Sequence, residues 1–133
     1  MLFRSLPADA FDRAVVRGMA AIVGCDIHPL NNLRILRQLS KLGVEADDRT
    51  FWAQRWINDG FAALEPMIAA HSAGFAFGAA PTIADCLLIP QVYSAQRNDV
   101  DLAPYPAISA VADACAAHPA FQAAHPDLQP DAI

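Results

Sequence analysis

One stretch of the chain concentrates polar side chains that could bind a small molecule. It runs from Cys25 to Arg34 and carries His28 and the amide pair Asn31 and Asn32 within about two helical turns. Because imidazole, amide and guanidinium groups all donate hydrogen bonds, this cluster would suit a small anionic ligand. The alternative is a structural network at a helix kink, which is the more common role for a histidine beside asparagines.

Motifs of established catalytic sites are absent from the sequence. It has no Gly-rich phosphate loop, no G-x-S-x-G elbow and no pair of histidines at a metal-binding spacing. Cys25 could act as a thiol beside His28, but burial within a helix would leave it inert. With Cys86 and Cys115 it forms no C-x-x-C pair, so we expect three small, buried, apolar cysteines and neither a disulfide nor a zinc site.

Composition and charge limit the class of protein. A chain of 133 residues that is 55% hydrophobic and 17% charged fits one compact domain. Its net charge of −5 and its single lysine, Lys41, argue against a nucleic-acid-binding surface. Residues 1–43 carry six of the nine basic residues and three of the fourteen acidic ones. That excess could orient an anionic molecule or a partner domain, although a solvated helix face explains it as well.

The elements that would position the polar cluster are predicted to be helices. The chain has 28 alanines against 18 Val, Ile and Thr residues, and no strand pattern is found. Apolar residues spaced by three and four predict a first helix from Asp9 to about Leu42, with a kink between Gly24 and Pro29. Such a kink would form one wall of a pocket beside His28.

Three further helices follow. The second is predicted from about Asp48 to Ala70, with two tryptophans, Trp52 and Trp56, as core anchors. A capping box at Thr82–Asp85 should begin a central buried helix that ends at Arg97 and bends at Pro90, and Asp85 is assigned this structural role. The last clear helix is expected over 107–117, with one short turn at 119–121.

Several motifs in order resemble the zeta class of glutathione transferases, which includes the maleylacetoacetate and maleylpyruvate isomerases. They are CDIHPLNNLRIL, WINDGFAALE, PTIADCLLIPQVYSAQR, VDLAPYPAI and the closing QPDA. The resemblance covers residues 6–133 and only the family's C-terminal domain. It implies an all-α fold, a glutathione-transferase C-terminal-like bundle with a long kinked first helix and a buried central helix. Residues 1–8 would be a residual connector and 9–133 one helical domain, without the thioredoxin-like N-terminal domain.

The resemblance also implies a reaction and a set of site residues. Glutathione would add as a thiolate to a maleyl double bond, the resulting single bond would rotate, and elimination would give the fumaryl isomer. His28, Asn32 and Leu33 would border glutathione, while Arg34 and Arg97 would hold the dicarboxylate substrate through charge-assisted hydrogen bonds. No catalytic residue and no metal ligand are expected in this chain, because the thiol-activating motif belongs to the N-terminal domain. Gln91 and Tyr93 are further candidates for the pocket lining.

Two functions of different classes remain open from the sequence. The chain is either the helical substrate-binding half of a glutathione-dependent isomerase or a free-standing, non-catalytic module for binding or dimerisation. The resemblance implies a homodimer, because the family dimerises with both domains contributing, and without the partner domain an apolar face on the first and central helices would favour association. Neither a signal peptide nor an apolar run long enough to span a membrane is evident, so we expect a cytoplasmic protein without nucleic-acid or membrane partners.

Overall fold

Helices joined by short turns make up the computed structural model, which describes residues 5–130. The elements in chain order are α1 (Ala10–Ala21), a π-helical segment (Ile22–Ile27), α2 (His28–Asn31), α3 (Leu33–Lys41), α4 (Ala46–His71), α5 (Ile83–Arg97), α6 (Pro106–Ala116), α7 (Pro119–Ala123) and a 3₁₀ turn (Pro126–Leu128). The all-helical fold is therefore confirmed. Residues 1–4, which belong to the predicted connector, and residues 131–133, which include the last two residues of the QPDA motif, lie outside the described residues.

The predicted long first helix is interrupted twice. Its backbone is π-helical over Ile22–Ile27, and Asn32 is extended, with φ −70° and ψ 160°. Pro29 has no N–H to donate to the preceding turn, which weakens the helix at the predicted place. The side-chain oxygen of Asn32 then accepts a hydrogen bond from the backbone N–H of Ile35 at 3.2 Å and caps α3. The predicted distortion before Pro29 is present as the π-helical segment, and one turn later the helix breaks completely at Asn32.

Helix α4 packs against the π-helical segment and α6. Its buried face consists of small and large apolar residues that recur at helical spacing: Ala53, Ile57, Gly60, Phe61, Leu64 and Ile68. Gly60 lets the backbone of α4 approach the side chain of Ile27, because a Cβ atom at this position would overlap Ile27. This close contact fixes the π-helical segment against the core.

Helix α5 begins with the predicted capping box and is the central buried helix. The side chain of Asp85 is 0% exposed. Its carboxylate accepts hydrogen bonds from the Thr82 N–H at 2.7 Å, the Thr82 hydroxyl at 2.9 Å and the Ala76 N–H at 2.7 Å. The last of these bonds attaches the loop before the helix to its first turn. The structural role of Asp85 is therefore confirmed and extended.

A second carboxylate caps α6 from a neighbouring helix. The two carboxylate oxygens of Glu65 on α4 accept the backbone N–H groups of Ala107 at 2.7 Å and Ile108 at 3.0 Å. The first N–H groups of a helix have no partner within that helix, so this contact satisfies two of them. It also fixes the distance between α4 and α6.

The prediction that both tryptophans are core anchors is wrong. Trp52 and Trp56 are half-buried and lie outside the cluster of fully buried residues, with ring centroids 5.7 Å apart in an edge-to-face arrangement. The indole N–H of Trp52 donates to the Leu30 carbonyl at 2.7 Å. An aromatic ring with a polar edge suits such a boundary position, where it attaches α4 to α2.

Candidate functional site

A cavity of about 410 Å³ opens between the interrupted first helix and α5. One wall comes from the π-helical segment, α2 and the start of α3, and the other from the middle of α5. Its lining residues are Val23, Gly24, His28, Asn31, Asn32, Leu33, Leu87, Pro90, Gln91 and Ser94. This volume falls within the range typical of small-molecule sites, and a mostly apolar wall with a few polar groups is also typical of them.

All three residues predicted to border glutathione line this cavity. His28 begins α2, and Asn32 and Leu33 lie at the break between α2 and α3. His28 and Asn32 are four residues apart and would share a face even of an uninterrupted helix, whereas Leu33 would lie about 140° away from His28, so the break is what allows Leu33 to join them. Leu33 remains 59% exposed although it carries a large apolar side chain. The cavity supports these three assignments by position, and contact with glutathione stays a prediction.

Two buried amides, Asn31 and Gln91, complete the polar part of the lining. Gln91 was a candidate for the lining from the sequence, whereas Asn31 was singled out only as part of the polar cluster. They are 8% and 3% exposed, and the side-chain nitrogens of both lack a hydrogen-bond partner among residues 5–130. A buried amide with no partner is unusual, because its desolvation is not compensated.

Both predicted substrate-binding arginines lie outside the cavity lining. Arg34 is exposed on α3, one residue beyond Leu33. Arg97 is exposed at the end of α5, and its guanidinium carbon lies 5.9 Å from the ring centroid of Tyr93. The structure does not bring the two arginines together at the cavity wall, and their role in holding a dicarboxylate stays a prediction.

Tyr93 lines a different and larger groove instead. This groove of about 1200 Å³ lies between α5, α6 and the C-terminal turn. The hydroxyl of Tyr93 donates to the carboxylate of Asp127 at 3.4 Å, which attaches the C-terminal turn to α5. No cluster of three metal-ligand side chains exists within residues 5–130, and none of the helices there is long and apolar enough to cross a membrane.

The expectation of three buried cysteines is correct for one of them. Cys115 is buried, and desolvation raises the pKa of its thiol from 9.0 to about 12. Cys25 and Cys86 are exposed. Partial burial, followed by the nearby charge of Asp85, raises the pKa of the Cys86 thiol. The inertness predicted for Cys25 from burial therefore loses its basis.

Comparisons with known proteins identify similar bacterial isomerases. The chain is 51% identical to a maleylpyruvate isomerase from Ralstonia sp. over 129 residues, which is 95% of this chain and 61% of that protein. It is 46% identical to a maleylacetoacetate isomerase from Pseudomonas aeruginosa over 126 residues, covering 95% of this chain and 58% of the relative. The chain thus spans about three fifths of the length of these relatives. No protein-family model matches it.

Solved structures place the fold among glutathione transferases. The holo structure of a maleylpyruvate isomerase, a bacterial glutathione S-transferase of the zeta class, matches with a TM-score of 0.94 and 49% identity, covering 97% of this chain and 62% of that one. A maleylpyruvate isomerase from P. aeruginosa PAO1 matches with a TM-score of 0.94 and 44% identity, over 97% of this chain and 69% of the other.

A third solved structure has ligands bound. It is a maleylacetoacetate isomerase from Anaeromyxobacter dehalogenans with dicarboxyethyl glutathione and citrate in its active site. It matches with a TM-score of 0.92 and 44% identity, over 97% of this chain and 58% of that one.

The bundle described above therefore has the all-helical architecture found in glutathione transferases. Within that superfamily, the chain belongs to the zeta class and corresponds to its helical C-terminal part.

Proposed function

We propose that this chain is the substrate-binding helical domain of a glutathione-dependent cis–trans isomerase acting on maleylacetoacetate or maleylpyruvate. The observation that carries the proposal is the 51% identity to a maleylpyruvate isomerase over 95% of the chain. The names of the relatives favour this enzyme over a free-standing binding module. When bound, glutathione supplies the thiol that adds to the maleyl double bond and permits its rotation.

The chain's own residues bind and orient the ligands in this proposal. His28, Asn32 and Leu33 border glutathione, since all three line the 410 Å³ cavity. The polar lining residues His28, Asn32 and Ser94 support a ligand that forms hydrogen bonds. Arg34 and Arg97, which are exposed at the start of α3 and the end of α5, hold the negatively charged dicarboxylate through charge-assisted hydrogen bonds.

The complete protein in this proposal contains a second domain and a second subunit. A thioredoxin-like domain supplies the thiol-activating residues, residues 1–8 connect the two domains, and 9–133 form the helical one. The matched region leaves about two fifths of each relative's length unmatched, which supports this organisation. Exposed apolar side chains support a homodimer, among them Phe11, Leu42 and Phe51. We expect the assembled enzyme to be cytoplasmic.

A chimera tests the proposed function. The helical part of the Ralstonia maleylpyruvate isomerase is replaced by this chain, and the glutathione-dependent isomerisation of maleylpyruvate is followed. We expect activity, and we expect Arg34→Ala or Arg97→Ala to lower kcat/KM about ten- to a hundredfold, because a charge-assisted hydrogen bond to a carboxylate contributes about 1.5–3 kcal/mol. Arg37→Ala, on the exposed face of α3, is the matched control. A folded but inactive chimera would refute the proposed function.

A further inference from the structure

Two His–Pro steps near the C-terminus have the same local structure. His118 precedes α7 and His125 precedes the 3₁₀ turn, and in each case the histidine is the N-cap residue and the proline follows it at the start of the helix. The ring Nδ1 of His118 accepts the backbone N–H of Ala120 at 3.2 Å. The ring Nδ1 of His125 accepts the backbone N–H of Asp127 at 3.3 Å. An imidazole nitrogen therefore makes both caps, where a Ser, Thr, Asp or Asn oxygen is usual.

An imidazole accepts such a bond only while its Nδ1 carries no proton. In the neutral ring one nitrogen donates and the other accepts, whereas both nitrogens are donors in the protonated ring. Protonation of His118 at Nδ1 therefore breaks the bond from Ala120. It also places a positive charge beside the free N–H groups at the start of α7, which already carry partial positive charge. Histidine is the side chain that ordinarily changes its charge between about pH 5 and pH 8.

The two histidines differ in what replaces the lost bond. Nδ1 of His125 lies 3.7 Å from a carboxylate oxygen of Asp127, so a proton on this nitrogen forms an ion pair within the 3₁₀ turn. The ring of His118 contacts the rings of Phe75 and Phe121 edge-to-face, with centroid distances of 5.9 and 5.8 Å. No carboxylate in the part of the chain that the structure describes forms an ion pair with it. Protonation thus leaves α7 without a replacement for its cap.

The titratable groups around His118 take no part in this cap. The loop that carries Phe75, residues 72–80, has no titratable side chain. The groove that His118 lines contains five other titratable side chains, namely Cys86, Tyr93, Asp113, His125 and Asp127. Tyr93 and His125 both contact Asp127, and none of the five forms a hydrogen bond with His118. The bond from Ala120 is therefore the contact of α7 that a proton on His118 breaks.

Helix α7 forms part of the wall of the 1200 Å³ groove beside α5 and α6. The residues of this segment in the groove lining are Ala120, Phe121, Gln122 and Ala124. Besides the cap, α7 is attached by the Gln122 side chain, which donates to the Ala116 carbonyl at 2.9 Å, and by the half-buried ring of Phe121. Neither of these contacts titrates, so they hold α7 in place equally at every pH.

We propose that His118 is a pH-sensitive cap that holds α7 on this groove while its imidazole is neutral and loosens that wall when Nδ1 takes up a proton. His125 has the same geometry, but its pairing with Asp127 keeps the 3₁₀ turn in place. None of the α7 residues in the groove belongs to the lining of the 410 Å³ cavity, so this role does not depend on the proposed function.

The protonation state of the ring tests the cap without any substitution. The ring nitrogen chemical shifts of His118 are measured by NMR in the 133-residue chain at about pH 8, where histidine is ordinarily neutral. We expect the tautomer with its proton on Nε2, because Nδ1 accepts the bond from Ala120. The tautomer with its proton on Nδ1 would overturn the proposal.

Three variants test the response to pH. His118→Asn keeps a cap that does not titrate, His118→Ala removes the cap at every pH, and His71→Asn replaces an exposed histidine that caps no helix. The helical population of residues 119–123 is measured from the Cα chemical shifts at about pH 8 and about pH 5.

In the unchanged chain and in His71→Asn, the ratio of helical to unfolded α7 should fall about two- to thirtyfold on acidification, the range that the loss of an N-cap produces. His118→Asn should keep α7 helical at both pH values, and His118→Ala should have the lower ratio at both. An unchanged ratio in the unchanged chain, or an equal fall in His118→Asn, would overturn the proposal.

The groove and the 3₁₀ turn give two further readouts. Binding of an apolar fluorescent dye should increase on acidification in the unchanged chain but not in His118→Asn, because a loosened α7 uncovers the apolar groove. The 3₁₀ turn should loosen at about pH 5 in Asp127→Asn and less in the unchanged chain. Equal dye binding in the unchanged chain and His118→Asn at about pH 5, or a turn that loosens as much as α7 in the unchanged chain, would contradict the role of His118.

Discussion

Removing the carboxylate of Asp85 should destabilise the whole bundle. This side chain is 0% exposed and accepts three hydrogen bonds, from the Ala76 N–H, the Thr82 N–H and the Thr82 hydroxyl. Asp85→Ala would leave these donors buried and unpaired, and water cannot reach them without opening the loop before α5. The capping box at the start of α5 would be lost together with these hydrogen bonds.

The size of the effect follows from these contacts. A hydrogen bond to a charged acceptor contributes about 1.5–3 kcal/mol, so three of them would total roughly 4.5–9 kcal/mol. Removing a buried charge also recovers its desolvation cost, which brings the expected loss to about 3–5 kcal/mol. The total stability of a domain is about 5–15 kcal/mol, so the variant should be only marginally folded.

Urea unfolding followed by tryptophan fluorescence measures this loss, because Trp52 and Trp56 report on α4. Asp85→Asn keeps one acceptor oxygen but directs an NH₂ group at the remaining donors, so we expect an intermediate loss of about 2–3 kcal/mol. Asp113→Ala on the exposed face of α6 is the control, with a change of about 0.5 kcal/mol at most. A loss below about 1 kcal/mol for Asp85→Ala would refute the argument.

Three further predictions concern contacts between the helices and one buried thiol. Glu65→Ala should lower the free energy of unfolding by about 1–3 kcal/mol, because it uncaps two N–H groups of α6; an unchanged urea midpoint would exclude the cap. Gly60→Ala should cost about 1–3 kcal/mol through overlap with Ile27, and a stabilised variant would show that the helices are not in close contact. Burial raises the pKa of the Cys115 thiol from 9.0 to about 12 in the folded state, so the thiol of the unfolded chain loses its proton at a lower pH. The free energy of unfolding should therefore fall as the pH rises from 9.0 toward about 12. Cys115→Ala should show a shallower fall in the urea midpoint over this range, and an equal fall would contradict the assignment.

Local signals in the sequence predicted the elements well. The capping box at Thr82–Asp85 and the helix distortion near Pro29 depend on residues within one or two turns, and both are present. The break at Asn32 was missed, although an asparagine ahead of an apolar run is a recognised N-cap signal. Apolar residues continue at spacings of three and four across the break. This periodicity predicts one continuous helix, so the N-cap at Asn32 was not recognised.

Contacts between distant parts of the chain could not be predicted from the sequence. Glu65 caps a helix that begins more than forty residues later, and nothing in its neighbours indicates this. The burial of Asn31 and Gln91 also depends on how α2 and α5 face each other. His28, Asn32 and Leu33 were assigned to the site through the family resemblance, and only the fold places them in one cavity with the two amides.

The most direct test of the central claim is the intact mass and the activity of the protein purified from its native source. The proposed function predicts a mass above 14.3 kDa by about one small domain, together with isomerisation of a maleyl substrate that requires glutathione. A purified, folded protein of 14.3 kDa that isomerises neither maleylacetoacetate nor maleylpyruvate in the presence of glutathione would contradict it.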